Sequence, residues 1–268
     1  MTSKPAVYEF NAAIVREPAR SVVNGLRADD RGNPTYDGVK AEHAAYVATM
    51  RAAGVEVTAL PALEAFPDSI FVEDPALVFP EGAILLRPGA ETRVRETVEI
   101  APTLKAMFGT VVDLPTPGYA DGGDVLTTPR SVMIGLSART DRAGAEGLIA
   151  SLDRLGRKGE IVQTPEGVLH FKSDCSLLDG ETMLSTKRLA RSGVFKGFRE
   201  VLIPEGEEPA ANALRVNDVV MVGADYPRTI AMLDKLGYQV VALKTTEIGK
   251  IDAGLSCMSL RWHRGQRL

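Results

Sequence analysis

Cys257 lies in the stretch KIDAGLSCMSLRW, residues 250–262, and is one of only two cysteines in the chain. A thiolate is a strong carbon nucleophile, and a histidine such as His170 can serve as its proton carrier from a distant point in the sequence. Taken alone, a cysteine in an apolar run reads as a small core residue. Its company argues otherwise. Asp68, Glu73, Asp74, Asp121 and Asp252 are more acids than a cysteine-protease type of site needs, since one orienting side chain suffices there. Buried carboxylates require cationic or hydrogen-bonding partners. A planar guanidinium supplies such a partner, because its N–H fork matches carboxylates in bidentate geometry. Its positive charge also favours a neighbouring thiolate. The constellation points to chemistry on a guanidine.

These residues recur with a rhythm. Five β-branched strands end at Pro61, Pro115, Pro165, Pro204 and Lys244, at intervals of 54, 50, 39 and 40 residues. Counting from those ends, Asp68 lies 7 residues on, Asp121 lies 6 on, His170 lies 5 on, and Asn212 and Asp252 each lie 8 on. A second offset of 12 to 13 collects Glu73, Asp74, Asn217 and Cys257. Further strands are predicted within SIFVEDPALVF, GGDVLTT, SDCSLLD, ALRVNDVVMVG and GLSCMSLRW. Helical patterns alternate with them and close on Gly54, Gly109, Gly156 and Gly237, the usual left-handed stop. Pro102 falls inside the second pattern, so that helix is expected to start late or kink. TKRLARSGVFKGFRE reads as a fifth, weaker helix.

Alternating strands and helices would ordinarily mean a doubly wound sheet. Two or three short strands per helix fit a radial α/β arrangement better, because a ring leaves few open edges and brings equivalent loops to one centre. No linker or low-complexity segment divides the 268 residues, and a single domain over 1–268 is expected. A net charge of −4 shows no excess of basic residues such as a nucleic-acid footprint would need. No apolar run is long enough for a membrane span. Two cysteines 82 positions apart, with no secretion signal, predict reduced thiols and a cytoplasmic setting. His43, His170 and His263 show no metal-ligand spacing, and no structural metal is expected. Cys175 reads as a packed strand residue, His43 and His263 as exposed, and Gly122 and Gly123 as a tight turn.

The stretches PDSIFVEDPALV, LRPGAETRVRE, ADGGDVL, GLSARTDRAGAE, LHFKSDCSLL and IDAGLSCMS, in that order, resemble the dimethylarginine dimethylaminohydrolase family of the pentein, or guanidino-group-modifying, superfamily. The likeness runs from about Ala13 to Leu260. It implies a five-bladed α/β propeller with pseudo-fivefold repeats around a central active site, in agreement with the repeat count. It further implies that Cys257 is the nucleophile, His170 the general acid/base and Asp121 the residue that orients His170. By the same resemblance Asp68, Glu73 and Asp74 line the guanidine pocket, with Asp252 beside the nucleophile. Arg93 and Arg139 hold the α-carboxylate, with Arg95 a competitor for Arg93. The backbone of Ile251 accepts the α-ammonium, and residues 20–27 form a lid from which Asn24 or Leu26 touches the ligand. The implied reaction hydrolyses Nω-methylated arginine to citrulline and an alkylamine through a Cys257 amidino-thioether, with no cofactor. The expected ligand is a small cationic guanidine. Oligomeric state stays open, a homodimer among the options. Three alternatives share the machinery: an arginine deiminase-like hydrolase, an amidinotransferase, and a catalytically idle pentein that binds arginine-like ligands or a protein partner.

Overall fold

The computed structural model describes residues 5–28 and 30–265. Its strands form five separate three-stranded sheets. In chain order of their central strands, the sheets are centred on Ala12–Arg16, Gly82–Leu85, Val132–Leu136, Thr182–Ser185 and Val219–Gly223. Each central strand pairs antiparallel with an inner strand and parallel with an outer one. A parallel pair needs a crossover. Helices Tyr36–Ala52, Glu96–Met107, Arg142–Arg154, Lys187–Ala190 and Pro227–Lys235 lie in those crossovers. The ring closes on itself, since Leu260–Trp262 near the C-terminus pairs with Ala12–Arg16 near the N-terminus. The radial arrangement expected from the repeat is the one observed, and every sheet is short.

Local chemistry explains the helix ends. The Thr35 and Asp141 side chains accept hydrogen bonds from the Gly38 and Gly144 amides, capping two helices at their N-termini. Gly54, Gly156 and Gly237 adopt left-handed φ values of 87°, 69° and 88° just after three helices. Gly109 does not, because its helix ends through Phe108 in an extended conformation. Pro102 is accommodated inside the helix that begins at Glu96. The weak fifth pattern shrinks to Lys187–Ala190.

His43 corrects an expectation: it is buried, 2% exposed, not on the surface. It falls on the stripe Val39, His43, Tyr46, Met50, the i, i+4, i+7, i+11 face that this helix turns inward. Trp262, which carried no signal in the sequence, is buried against Phe108 with ring centroids 5.0 Å apart. Apolar clusters fill the spaces between blades. One joins Ile84, Leu148 and Leu152, each fully buried, and each such burial is worth about 1.5–3 kcal/mol.

The inner strands are shorter than the sequence suggested, and the difference positions the site. Four of them are preceded by a single 3₁₀ turn: Gly122–Asp124, Phe171–Ser173, Glu208–Ala211 and Leu255–Met258. Asp121 and His170 immediately precede two of these turns, Asn212 follows a third, and Cys257 lies within the fourth. In the remaining blade, Asp68 to Asp74 form irregular turns before the strand Ala76–Phe79. The sequence offsets therefore mark loops entering inner strands at the centre of the ring. Asn217 is the exception. It sits at the hairpin between Val216 and Val219 with φ 53°, and its side chain bonds the Phe10 backbone and the Ala53 carbonyl, away from the other site candidates.

Candidate active site

A pocket of about 150 Å³ opens at the centre of the ring and is lined by Leu26, Asp68, Asp74, Arg93, Arg139, His170, Ile251, Asp252 and Cys257, among others. Every blade except the one that supplies Asn212 contributes to this wall directly. Asn212 reaches Cys257 from outside the pocket lining. Its Nδ2 lies 3.9 Å from Cys257 Sγ, and its Oδ1 accepts the Ser256 amide at 3.0 Å. Gly254 makes this fit possible, because a Cβ there would sit 2.4 Å from Asn212 Cγ.

His170 Nε2 and Asp121 Oδ2 are 3.0 Å apart, and the other Asp121 oxygen accepts the Gly89 amide at 2.7 Å. Asp121 has no exposed surface. Burial by itself would lower the His170 pKa, but Asp74, Asp121 and Asp124 together outweigh it and raise it to about 9. The imidazole therefore carries a proton at neutral pH. Asp124 anchors this ring's loop: it accepts from the Phe171 amide at 2.8 Å, from Ser137 at 2.6 Å and from Thr140 at 2.7 Å. The two glycines of ADGGDVL serve close approach, and neither has a left-handed φ. A Cβ on Gly122 would lie 1.9 Å from the Glu73 carbonyl, and one on Gly123 would lie 2.7 Å from His170 Nδ1.

Glu73 and Asp74 are neighbours in sequence but are held by different partners. Asp74 takes an ion pair from Arg93 and the Gly123 amide at 3.0 Å. Burial pushes its carboxyl up, yet Arg93 and the His170 imidazolium bring it net below the usual carboxylate range. Glu73 instead meets Lys172 at 2.6 Å, Arg261 at 3.2 Å and the Ser256 hydroxyl at 3.1 Å. Burial, with Glu73 and Asp74 close by, raises the Cys257 thiol to about 11. Cys257 is thus a neutral thiol in the same pocket as the His170 imidazolium.

The two arginines differ in freedom. Arg93 is buried and committed: beyond Asp74 it binds Glu96 through two nitrogens and the carbonyls of Asp68 and Phe71. Arg139 is 21% exposed at its side chain, and its only acidic partner among the described residues is Asp121 at 3.9 Å. Arg95 is exposed and lies outside the pocket lining. On the mouth side, the Leu26 amide donates to Asp68 at 2.9 Å and the Ala28 amide donates to Asp252. Asn24 is exposed and does not line the pocket. Burial raises the Asp68 pKa against the opposing pull of Arg93.

Asp74, Asp121 and His170 each offer one ligand atom within 4.8 Å of the others. Metal ligation needs a neutral imidazole. The Arg93 guanidinium on Asp74 and the raised pKa of His170 instead make this group an ion-paired cluster. Lys172, Arg261, Asp124 and Asn212 complete the site. Only Asn212 had a visible signal in the sequence, its position in the repeat.

Comparison with known proteins agrees with this picture. The family model described as arginine deiminase matches residues 60–194. The N(G),N(G)-dimethylarginine dimethylaminohydrolase of Pseudomonas aeruginosa is 41% identical over 254 residues, covering 94% of this chain and all of that one. The Streptomyces coelicolor enzyme of the same name is 31% identical, covering 93% and 96% of the two chains. A solved structure of the P. aeruginosa protein, a cysteine-to-serine mutant complexed with citrulline, superposes with a TM-score of 0.91 over 95% of this chain and 100% of that one, at 40% identity. The likeness covers nearly the whole of both chains, and the chain belongs to the dimethylarginine dimethylaminohydrolase family.

Proposed function

We propose that the protein hydrolyses Nω-methylated arginine to citrulline and an alkylamine, with Cys257 as nucleophile, His170 as general acid and base, and Asp121 as the group that orients His170. The observation that carries this reading is a thiol and an imidazolium brought into one carboxylate-walled pocket by a chain of this family. The whole of residues 1–268 is proposed to act as one domain.

The pocket's electrostatics suggest the order of events. At rest burial, with Glu73 and Asp74 close by, holds the thiol protonated. A guanidinium beside Asp68 and Asp74 adds positive charge next to Cys257 and lowers the cost of forming the thiolate. The thiol gives up its proton to solvent, the thiolate attacks the guanidinium carbon, and the carboxylates keep the planar group in reach. His170 gives its proton to the departing amine as the carbon–nitrogen bond breaks, leaving an amidino-thioether on Cys257. The now neutral His170 takes a proton from water, which adds to the same carbon. Collapse releases citrulline and restores the thiol and the imidazolium. Arg139, the less committed cation, is proposed to meet the α-carboxylate, with Arg93 set beneath it, fixing Asp74. The Ile251 carbonyl is proposed to accept the α-ammonium, and Asp252, tied to Ala28, to hold the mouth segment near the nucleophile. Glu73 is proposed as the floor below the thiol.

Arginine deiminase-like hydrolysis of arginine itself is favoured by one observation, the matching family model. Citrulline release by the purified protein from asymmetric dimethylarginine, monomethylarginine and arginine, in parallel with Cys257→Ala, separates the readings. Citrulline from the methylated substrates alone, absent in the variant, is the expected result. Citrulline mainly from arginine moves the protein to the deiminase reaction, and none from any substrate overturns both readings.

A further inference from the structure

A second cavity, of about 580 Å³, lies on the other side of the Glu73–Lys172–Ser256 floor. Its volume falls within the range of small-molecule sites. The walls are apolar, from Leu77, Leu126, Leu177 and Leu214. Its charged lining is lopsided: Arg157 is answered by Glu81 at 2.8 Å, outside the lining, which leaves Lys172, Arg215 and Arg261 against Glu9 and Glu73. A chain with a net charge of −4 has thus gathered a cationic excess around one interior space.

The partners of these cations sharpen the point. Lys172 and Arg261 share the single carboxylate of Glu73. Arg215 has no acidic ion-pair partner among the described residues. It bonds the carbonyls of Asn217 and Leu178, and its guanidinium lies 4.8 Å from the Tyr8 ring centroid and 5.7 Å from that of Tyr238. Arg261 Nε and the Ser176 hydroxyl, both from lining residues, are buried without a hydrogen-bond partner among the described residues. Unmatched buried donors are costly, and native proteins rarely leave them so.

We infer that this rear cavity binds a monocarboxylate with an apolar tail. The carboxylate balances the excess of Lys172, Arg215 and Arg261, and the tail covers the leucine walls. A strongly hydrated dianion would lose its water against those walls with no matching gain.

The test is calorimetric titration of the full-length protein with octanoate, octan-1-ol and octylamine, which share a tail and differ in charge. Octanoate is expected to bind at least tenfold more tightly than octan-1-ol, with no binding of octylamine. Arg215→Leu is expected to weaken octanoate at least tenfold and leave octan-1-ol unchanged, while Arg215→Lys restores much of the loss. Arg215 lies outside the proposed reaction machinery, so citrulline formation by both variants should equal that of the parent chain. Equal affinity for octanoate and octan-1-ol, or octanoate affinity unchanged in Arg215→Leu, overturns the inference. So does displacement of octanoate by citrulline, which would locate it in the active-site pocket. If Arg215→Leu does not fold, the parent chain's preference among the three ligands decides alone. None of these outcomes alters the reading of the reaction.

Discussion

Two cavities meet at the centre of this ring, and one dipeptide divides them. Asp74 lines the pocket that holds Cys257 and His170, while Glu73 lines the larger cavity with Lys172 and Arg261. On the Asp74 side, charges are matched and tuned: guanidinium on carboxylate, imidazolium on carboxylate, and a thiol held neutral. On the Glu73 side, cations outnumber acids and donors lack acceptors. Similar residue types thus do different work according to whether partners saturate them. A saturated cluster can set pKa values for chemistry, whereas an unsaturated one waits for a ligand.

The contrast breaks most visibly at Cys257, the proposed nucleophile. Cys257→Ala is expected to abolish citrulline formation, because no other side chain can form the amidino-thioether. His170→Ala is expected to cost about 10³-fold or more in kcat, since general acid–base catalysis typically supplies about 10²–10⁴-fold. Asp121→Asn keeps the shape but loses the charge that helps hold the His170 proton. A loss of about 10²-fold in kcat is expected, with the pH profile of kcat/KM displaced toward lower pH. An unchanged profile would refute the orienting role. Variants confined to the rear cavity, such as Arg215→Leu, should leave all these numbers untouched.

Stability against pH sharpens the comparison from the other direction. His170 has a pKa of about 9 in the fold against an ordinary 6.5. Its imidazolium therefore contributes stability fully below about pH 6.5, and that contribution fades as pH rises through about 9. The shift corresponds to a contribution on the order of 3 kcal/mol. Cys257 acts in the same sense at higher pH. Its thiol, at about 11 in the fold against an ordinary 9, ionises first in the unfolded chain. Thermal melting should therefore fall steadily from pH 7 to 10. His170→Ala should flatten the part between 6.5 and 9, and a wild-type slope in that variant would sink the assignment.

Lys172→Met tests the wall between the cavities. It strips Glu73 of its nearest cation and leaves Arg261 and Ser256. Lys172 also draws the Cys257 pKa downward, so its loss should raise that pKa further. About a tenfold fall in kcat with little change in KM is expected. Leaving a buried carboxylate short of a partner should also cost about 1–3 kcal/mol in stability.

Much of this was legible in the sequence where the geometry is local. The offsets of Asp121, His170 and Cys257 from the strand ends reflect one 3₁₀ turn repeated before four of the five inner strands, and a turn needs a fixed number of residues. The same logic found Asn212 and misplaced Asn217, which shares an offset with Cys257 but sits in a tight hairpin. What was not legible depends on distant partners. Glu73 finds Lys172 and Arg261 from positions 99 and 188 residues away, and no local pattern announces such a meeting. Which way each of two adjacent acids faces in an irregular turn is likewise settled by those partners. His43 was misread because an amphipathic stripe fixes which residues share a face, not how deeply that face is buried.

The smallest effect concerns Asn212, and it separates holding the backbone from holding charge. Its Oδ1 takes the Ser256 amide and its Nδ2 faces the sulfur of Cys257. Asn212→Asp keeps the first contact and removes the second, whereas Asn212→Ala removes both. If Nδ2 stabilises the thiolate, iodoacetamide should alkylate Cys257 a few-fold more slowly in both variants at a given pH below 11. The aspartate should be slower than the alanine, because it adds a negative charge beside the sulfur. If Asn212 serves only the backbone, Asn212→Ala should alkylate like the parent chain and show only a lower melting temperature, the aspartate alone being slowed by its charge. The alkylation rate of Asn212→Ala therefore decides whether the fifth blade shares in the chemistry or merely holds it in place.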